Sequence, residues 1–183
     1  GMNEKDYGIM LQGMQTIYRR SKGLLGFVEN YRKLSRLSMP VLAPVRMEEL
    51  LDDLMKLFPS RDIHYTYRTE DADKILMLDR SQIEQVLINL LKNAGEACIE
   101  QEIPEVIIAT HYEMEKRIFM LTVTDNGSGI LPDVLDKIFV PFFTTKPTGS
   151  GIGLSLCKQI MNLHGGSISV SSEIGKGSCF SLK

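Results

Sequence analysis

Six polar side chains, Gln82, Gln85, Asn89, Lys92, Asn93 and Glu96, follow one another at spacings of three and four. On a helix that spacing lines them along one stripe, while Ile83, Val86, Leu87, Leu90 and Ala94 face a core. Most such stripes are solvated faces. Here two asparagines stand four apart in mid-helix, each a poor helix former by roughly 0.5 kcal/mol against Ala. Their carboxamide oxygens are hard, neutral ligands of the kind Mg²⁺ takes beside phosphate oxygens. Further on, an apolar strand runs into Asp125-Asn126-Gly127-Ser128-Gly129-Ile130. That places a carboxylate at a strand end, followed either by bare backbone that a ligand can approach or by a plain turn.

A third segment, Lys146-Pro147-Thr148-Gly149-Ser150-Gly151-Ile152-Gly153-Leu154, is a Gly-rich loop opening a helix. Free N–H groups and the helix dipole at such an N-terminus suit an anion, phosphate above all. No Lys-Ser/Thr follows the glycines and no Rossmann spacing fits, so neither familiar phosphate motif is present; a flexible loop is the plain alternative. Just upstream, Ile138-Phe139-Val140-Pro141-Phe142-Phe143-Thr144-Thr145-Lys146 sets three aromatics around a proline, a pattern that anchors loops. Gly175-Lys176-Gly177-Ser178-Cys179-Phe180 by itself is a hairpin turn.

These segments need elements to hold them. A helix is expected from 47 to 58, with Leu50, Leu51, Leu54 and Leu57 on one side, and strands over 62–69 and 74–78. Asp79 caps a strong helix to about Gln101, with Gln82 as its capping-box partner. Strands follow at 105–113 and 117–125, then a segment from 126 to 153 with few regular signals. A helix over 152–163 stops at Gly165-Gly166, and two strands close the chain at 167–172 and 178–182. The class is α+β: a largely antiparallel sheet with helices on one face.

Ahead of this unit lies one helix from about 5 to 37, free of proline. Met10, Met14, Ile17, Ser21, Leu24, Val28 and Tyr31 form a heptad seam along it. Gly8, Gly13, Gly23 and Gly26 weaken it. Partners must therefore hold it, as in a bundle or coiled coil. Pro40 and Pro44 bracket an extended linker.

Composition narrows the classes. The 183 residues carry 21 basic and 23 acidic side chains, a balance that fits neither a basic nucleic-acid module nor an acidic tail. Cys98, Cys157 and Cys179 lie far apart, an odd count that fits neither a disulfide framework nor a zinc site. No apolar run spans a bilayer and the start has no signal-peptide core. Gly1 ahead of Met2 reads as a tag remnant, and the chain as a piece of something longer.

The order of these motifs resembles the catalytic ATP-binding domain of sensor histidine kinases, in the superfamily that also holds gyrase B, Hsp90 and MutL. The matching segments are Asn89 to Ala94, Asp125 to Gly129, Phe139 to Lys146, Gly149 to Leu154, Leu163 to Gly166 and Gly175 to Phe180, across residues 45 to 183. The Pro-Phe-Phe-Thr-Thr-Lys form is similar to the nitrogen-regulatory type. The resemblance implies a two-layer α/β sandwich over 41–183, preceded by a long helix within 1–40 that is the second helix of a dimerisation hairpin. It implies ATP and Mg²⁺ as cofactors. Asp125 would accept from the adenine amino group, Gly127, Gly129 and Ile130 would line the base, and Ser178 would help hold it. Asn93 with Asn89 would place Mg²⁺. Gly149, Gly151 and Gly153 would form the lid hinge and phosphate cradle, Lys146 would add positive charge, and Lys92 and Leu154 would also bind the nucleotide.

Relatives that hydrolyse ATP carry a Glu at the position of Asn89, and Asn is no general base. The nucleophile implied is a substrate His. His64, His111 and His164 are the histidines of this sequence, two in expected strands and one at a helix C-terminus. The acceptor is thus expected on a hairpin helix outside this chain, which would leave it unable to autophosphorylate. A homodimer in the whole protein and a response regulator receiver domain are the partners implied. No nucleic acid or membrane contact is expected, and the location implied is cytoplasmic, within a parent that is either soluble or membrane-anchored. Two other readings stay open: a Ser/Thr kinase of the anti-sigma type, and an inactive nucleotide-binding module.

Overall fold

A computed structural model of the chain describes residues 4–58, 62–147 and 149–183. Thr148, part of the expected phosphate loop, lies outside the described residues. The chain divides into two units, Gly1–Leu37 and Ser38–Lys183. The first contains helix α1, Glu4–Ser35, of 32 residues and about 48 Å at 1.5 Å per residue. Met10, Met14, Ile17, Leu24, Val28 and Tyr31 along its seam are exposed.

The second unit begins with β1 (Ala43–Arg46) and α2 (Met47–Met55), followed by β2 (His64–Thr69), β3 (Ile75–Leu78) and α3 (Arg80–Cys98). Next come β4 (Glu105–Glu113), β5 (Ile118–Asp125) and α4 (Pro132–Leu135). The unit closes with α5 (Gly153–Leu163), β6 (Ile168–Glu173) and β7 (Gly177–Leu182). Five strands form one mixed sheet in the order β2-β4-β5-β7-β6, with β2 parallel to β4 and the other pairs antiparallel. Helices α3 and α5 pack against it and α2 packs on α3. The core lies between the two layers. Val86, Leu87, Leu90 and Leu91 of α3 meet Val106, Ile108 and Val123 of the sheet, all at most 1% exposed. Full burial of each such side chain contributes roughly 1.5–3 kcal/mol. This is an α+β fold with helices on one face.

Two departures from the sequence reading have local causes. The expected linker 39–44 ends in a strand: β1 pairs antiparallel with β3, Pro44 opposite Met77, in a separate two-stranded sheet. Pro44 is tolerated because β1 is paired on one side alone, so its missing N–H removes no ladder bond. The capping box is half formed. Asp79 Oδ1 accepts from the Gln82 N–H at 3.2 Å, but the Gln82 amide does not return the bond. It donates instead to the Ser38 carbonyl at 3.0 Å. The Asp79 N–H is taken by His164 Nε2, also at 3.0 Å.

Candidate functional site

A cleft of about 620 Å³ opens between the polar stripe of α3, the end of β5 and the loops that run from Ser128 to α5. That volume lies within the range of small-molecule sites. Asn89, Lys92, Asn93, Asp125, Gly129, Ile130, Lys146, Gly149, Gly151, Gly153, Leu154 and Ser178 all line it. Gly127 does not. Its N–H donates to Asp125 Oδ1 at 2.9 Å, and the Ala97 carbonyl fills the space where a Cβ would stand. Its part in the site is to set the Asp125 carboxylate.

Asp125 is the last residue of β5 and 4% exposed. Burial pushes its carboxyl above the usual carboxylate range, and N–H bonds from Gly127 and Ser178 offset part of that push. A buried acceptor with few fixed donors is suited to a ligand N–H. Opposite Asp125 in the ladder stands Ser178. Its Oγ lies 3.0 Å from Ser172 Oγ. Ser172 accepts from the Ile130 N–H at 2.8 Å and gives its own proton to the Gly177 carbonyl at 2.9 Å. The Ser178 hydroxyl must therefore donate to Ser172, which leaves its remaining lone-pair capacity for the cleft. Ser172 went unassigned in the sequence because nothing in a Ser-rich strand marks one hydroxyl. Gly177 has φ +104°, and a Cβ there would strike the Asp125 carbonyl.

On the other wall, Asn89 Nδ2 donates to the Gly153 carbonyl at 3.4 Å and lies 3.7 Å from Cys157 Sγ. It thereby ties α3 to the first turn of α5. Burial pushes the Cys157 thiol up to about 12, so it is inert packing. The first turn of α5 carries no side-chain cap, so its N–H groups are available to an anion. Between α4 and α5 the chain doubles back at Phe142, whose φ is +66°. Gly151, at φ +69°, packs on the Phe142 backbone so closely that a Cβ would stand 2.5 Å from its carbonyl carbon. From this loop Lys146 reaches α3, its Nζ 3.1 Å from Asn93 Oδ1 and paired with Glu96.

The donor set fits a triphosphate with a hard cation. Asn93 Oδ1 already accepts from an ammonium, so it faces the cleft as a cation acceptor. Among the described residues no group of three or more His, Cys, Asp or Glu gathers. A metal here would therefore not sit in an all-protein cage of such side chains; the carboxamide oxygens that line the cleft, together with ligand phosphate, are of the kind Mg²⁺ takes. The three histidines stand elsewhere. His64 opens β2, His111 Nδ1 lies 3.4 Å from Glu70 on the surface, and His164 is held between Asp79 and the Ile160 carbonyl.

Residues 78–183 match the family model described as histidine kinase-, DNA gyrase B-, and HSP90-like ATPase. The sensor histidine kinase ZraS of Escherichia coli (strain K12) is 41% identical over 123 residues, which cover 67% of this chain and 26% of that protein. The chain thus spans about a quarter of the length of such relatives. Among solved structures, the catalytic domain of histidine kinase ThkA is 32% identical with a TM-score of 0.67, over 77% of this chain and 93% of that one. ThkA in complex with the response regulator protein TrrA is 27% identical with a TM-score of 0.70, over 93% of this chain and 49% of that one.

Proposed function

This chain belongs to the histidine kinase-, DNA gyrase B- and HSP90-like ATPase family, among its histidine kinase catalytic domains, and on that premise we propose that it transfers the γ-phosphoryl of ATP to a histidine carried on another segment. One observation carries the reading: a buried acceptor carboxylate, Asp125, and a helix face that already holds a cation, at Asn93, share one cleft.

Asp125 accepts a hydrogen bond from the adenine amino group. Ser178 and Ile130 border the base, and Gly129 keeps that wall low. Asn93, with Asn89, would hold Mg²⁺, and the bound ion would supply neutralisation of phosphate charge. The N–H groups at the start of α5 and the loop around Gly149 and Gly151 receive the phosphate oxygens, with Lys92 and Lys146 adding positive charge. Leu154 closes the apolar side. Asn89 has no basic lone pair to take a proton from water, so hydrolysis is not promoted. The chain's work is positioning and charge stabilisation, which is most of what phosphoryl transfer asks of a protein. The bond from γ-phosphorus to the bridging oxygen breaks, a bond to an imidazole nitrogen forms, and ADP leaves.

Residues 41–183 are the catalytic unit in this reading, and 1–40 the second helix of a dimerisation hairpin. The acceptor is a histidine other than His64, His111 and His164, none of which lines the cleft. A response regulator receiver domain is the downstream partner; that a related kinase was crystallised with its response regulator supports this. No helix among the described residues is long and apolar enough to cross a membrane, in keeping with a cytoplasmic kinase domain.

The adenine role is testable by calorimetric titration with ATP and GTP. Guanine offers a carbonyl oxygen where adenine offers an amino group, so it would face Asp125 acceptor to acceptor. ATP is expected to bind and GTP to bind far more weakly. Equal affinities would contradict the reading.

A further inference from the structure

Glu96 belongs to the α3 stripe and lines the cleft, yet it has no part in the reading above. Its carboxylate pairs with Lys146, and the same ammonium lies 3.1 Å from Asn93 Oδ1. Asn93 and Glu96 are three residues apart on a regular helix, so their side chains lie on one face, a turn apart. Two oxygens fixed by one helix thus hold one cation. The ammonium is a soft claimant to that position. It comes from a loop, and both side chains of the ion pair are exposed, at 43% and 60%. A divalent cation of small radius takes the same hard oxygens at shorter range and with twice the charge.

We propose that Glu96 completes the Mg²⁺ subsite with Asn93, and that Lys146 is the placeholder cation that metal and nucleotide displace. The proposal rests on reading the cleft as an ATP site. Three consequences follow from one position holding one cation. Entry of the metal frees Lys146 from α3 and with it the loop from Phe142 to Gly151. The released ammonium becomes available to phosphate oxygens. Without a metal, Glu96 keeps Lys146 on α3 and away from the triphosphate, so Glu96 makes nucleotide binding depend on the cation.

The experiment measures ATP affinity by calorimetry, in Mg²⁺ and in EDTA, for the wild-type chain, Glu96→Gln, Glu96→Ala, Lys146→Met and the double variant Glu96→Gln/Lys146→Met. Thermal melting establishes that each is folded. The gain in affinity from Mg²⁺ is expected to fall about fivefold in both Glu96 variants, the size of an exposed charge contact, with metal-free binding unchanged or tighter. Hydrogen exchange in the 142–151 loop without nucleotide is expected to quicken in Lys146→Met, and to quicken no further in the double variant. A Mg²⁺ gain that is the same in wild type and Glu96 variants would overturn the proposal while leaving the ATP site standing. Loop exchange unmoved by Lys146→Met would overturn the placeholder role. Wild-type chain that binds no ATP with or without metal would overturn the reading of the cleft itself.

Discussion

At the scale of single residues, the site trades stability for recognition. Burial disfavours the charged form of Asp125, and the two N–H bonds it receives offset that cost in part. Asp125→Asn keeps an oxygen for the Gly127 N–H but turns an NH₂ toward the adenine amino group. ATP affinity is therefore expected to drop at least about tenfold, the scale of a buried polar group left unpaired, while the melting temperature at neutral pH holds or rises. The pH dependence has a definite sign. The folded-state pKa of Asp125 lies above its unfolded value, so the folded chain binds the proton more tightly than the unfolded chain. Wild type should gain stability relative to Asp125→Asn as pH falls through the raised value toward the ordinary carboxylate range. Melting curves of the two proteins across that range check it. An Asn variant that loses stability at neutral pH yet keeps its ATP affinity would remove Asp125 from the adenine role.

At the scale of elements, α3 positions the site, and its N-terminus is held from several directions. Asp79 caps it through Gln82, receives the Val41 N–H at 3.0 Å and the Ser81 hydroxyl at 2.8 Å, and donates its own N–H to His164. The bond from Val41, then that from Ser81, holds the Asp79 carboxyl below its usual value. A depressed carboxylate contributes stability above its unfolded pKa and loses it as pH falls through the folded one. Asp79→Ala should cost about 1–2 kcal/mol, the upper part of the range for a lost cap. Denaturant unfolding at neutral pH measures that cost, and the gap to wild type should shrink under strong acid. Helix α3 was legible because Asp79, the 3.6-residue apolar period and the two mid-helix asparagines all point to one element. The chain segments β4, β5 and α5 were legible for the same reason, periodicity bounded by turns. What escaped was set by distant partners. Ala43 and Pro44 read as the end of a linker because a proline-bearing stretch becomes a strand only when β3 lies beside it. Gln82 read as a capping-box arm, yet its amide reaches Ser38, forty-four positions earlier in the chain. Short helix α4 carries no buried side chain and so left no period to read. In the site, Ser172 and the Lys146 contacts depend on packing between β6, the loop that carries Lys146 and α3, which no local pattern encodes.

At the scale of the whole molecule, the first unit is a helix whose seam residues are left exposed. Ile17 and Leu24 are 67% and 65% exposed, and a buried side chain of that kind contributes roughly 1.5–3 kcal/mol. The heptad spacing of that seam predicts association through α1. Sedimentation velocity should find dimers or larger species that dissociate when Ile17, Leu24 and Val28 are changed to Glu; a chain monomeric at high concentration would contradict this. Association of α1 and chemistry at the cleft meet in one claim, that this catalytic unit phosphorylates a histidine presented to it. The direct measurement is transfer from radiolabelled ATP with Mg²⁺, using the chain alone and the chain mixed with a separate helical-hairpin domain that carries the acceptor histidine. The account predicts no label on the lone chain and acid-labile, alkali-stable label on the added domain. Label on His64, His111 or His164, acid-stable label on serine or threonine, or no label on the added domain while ATP binds, would contradict it.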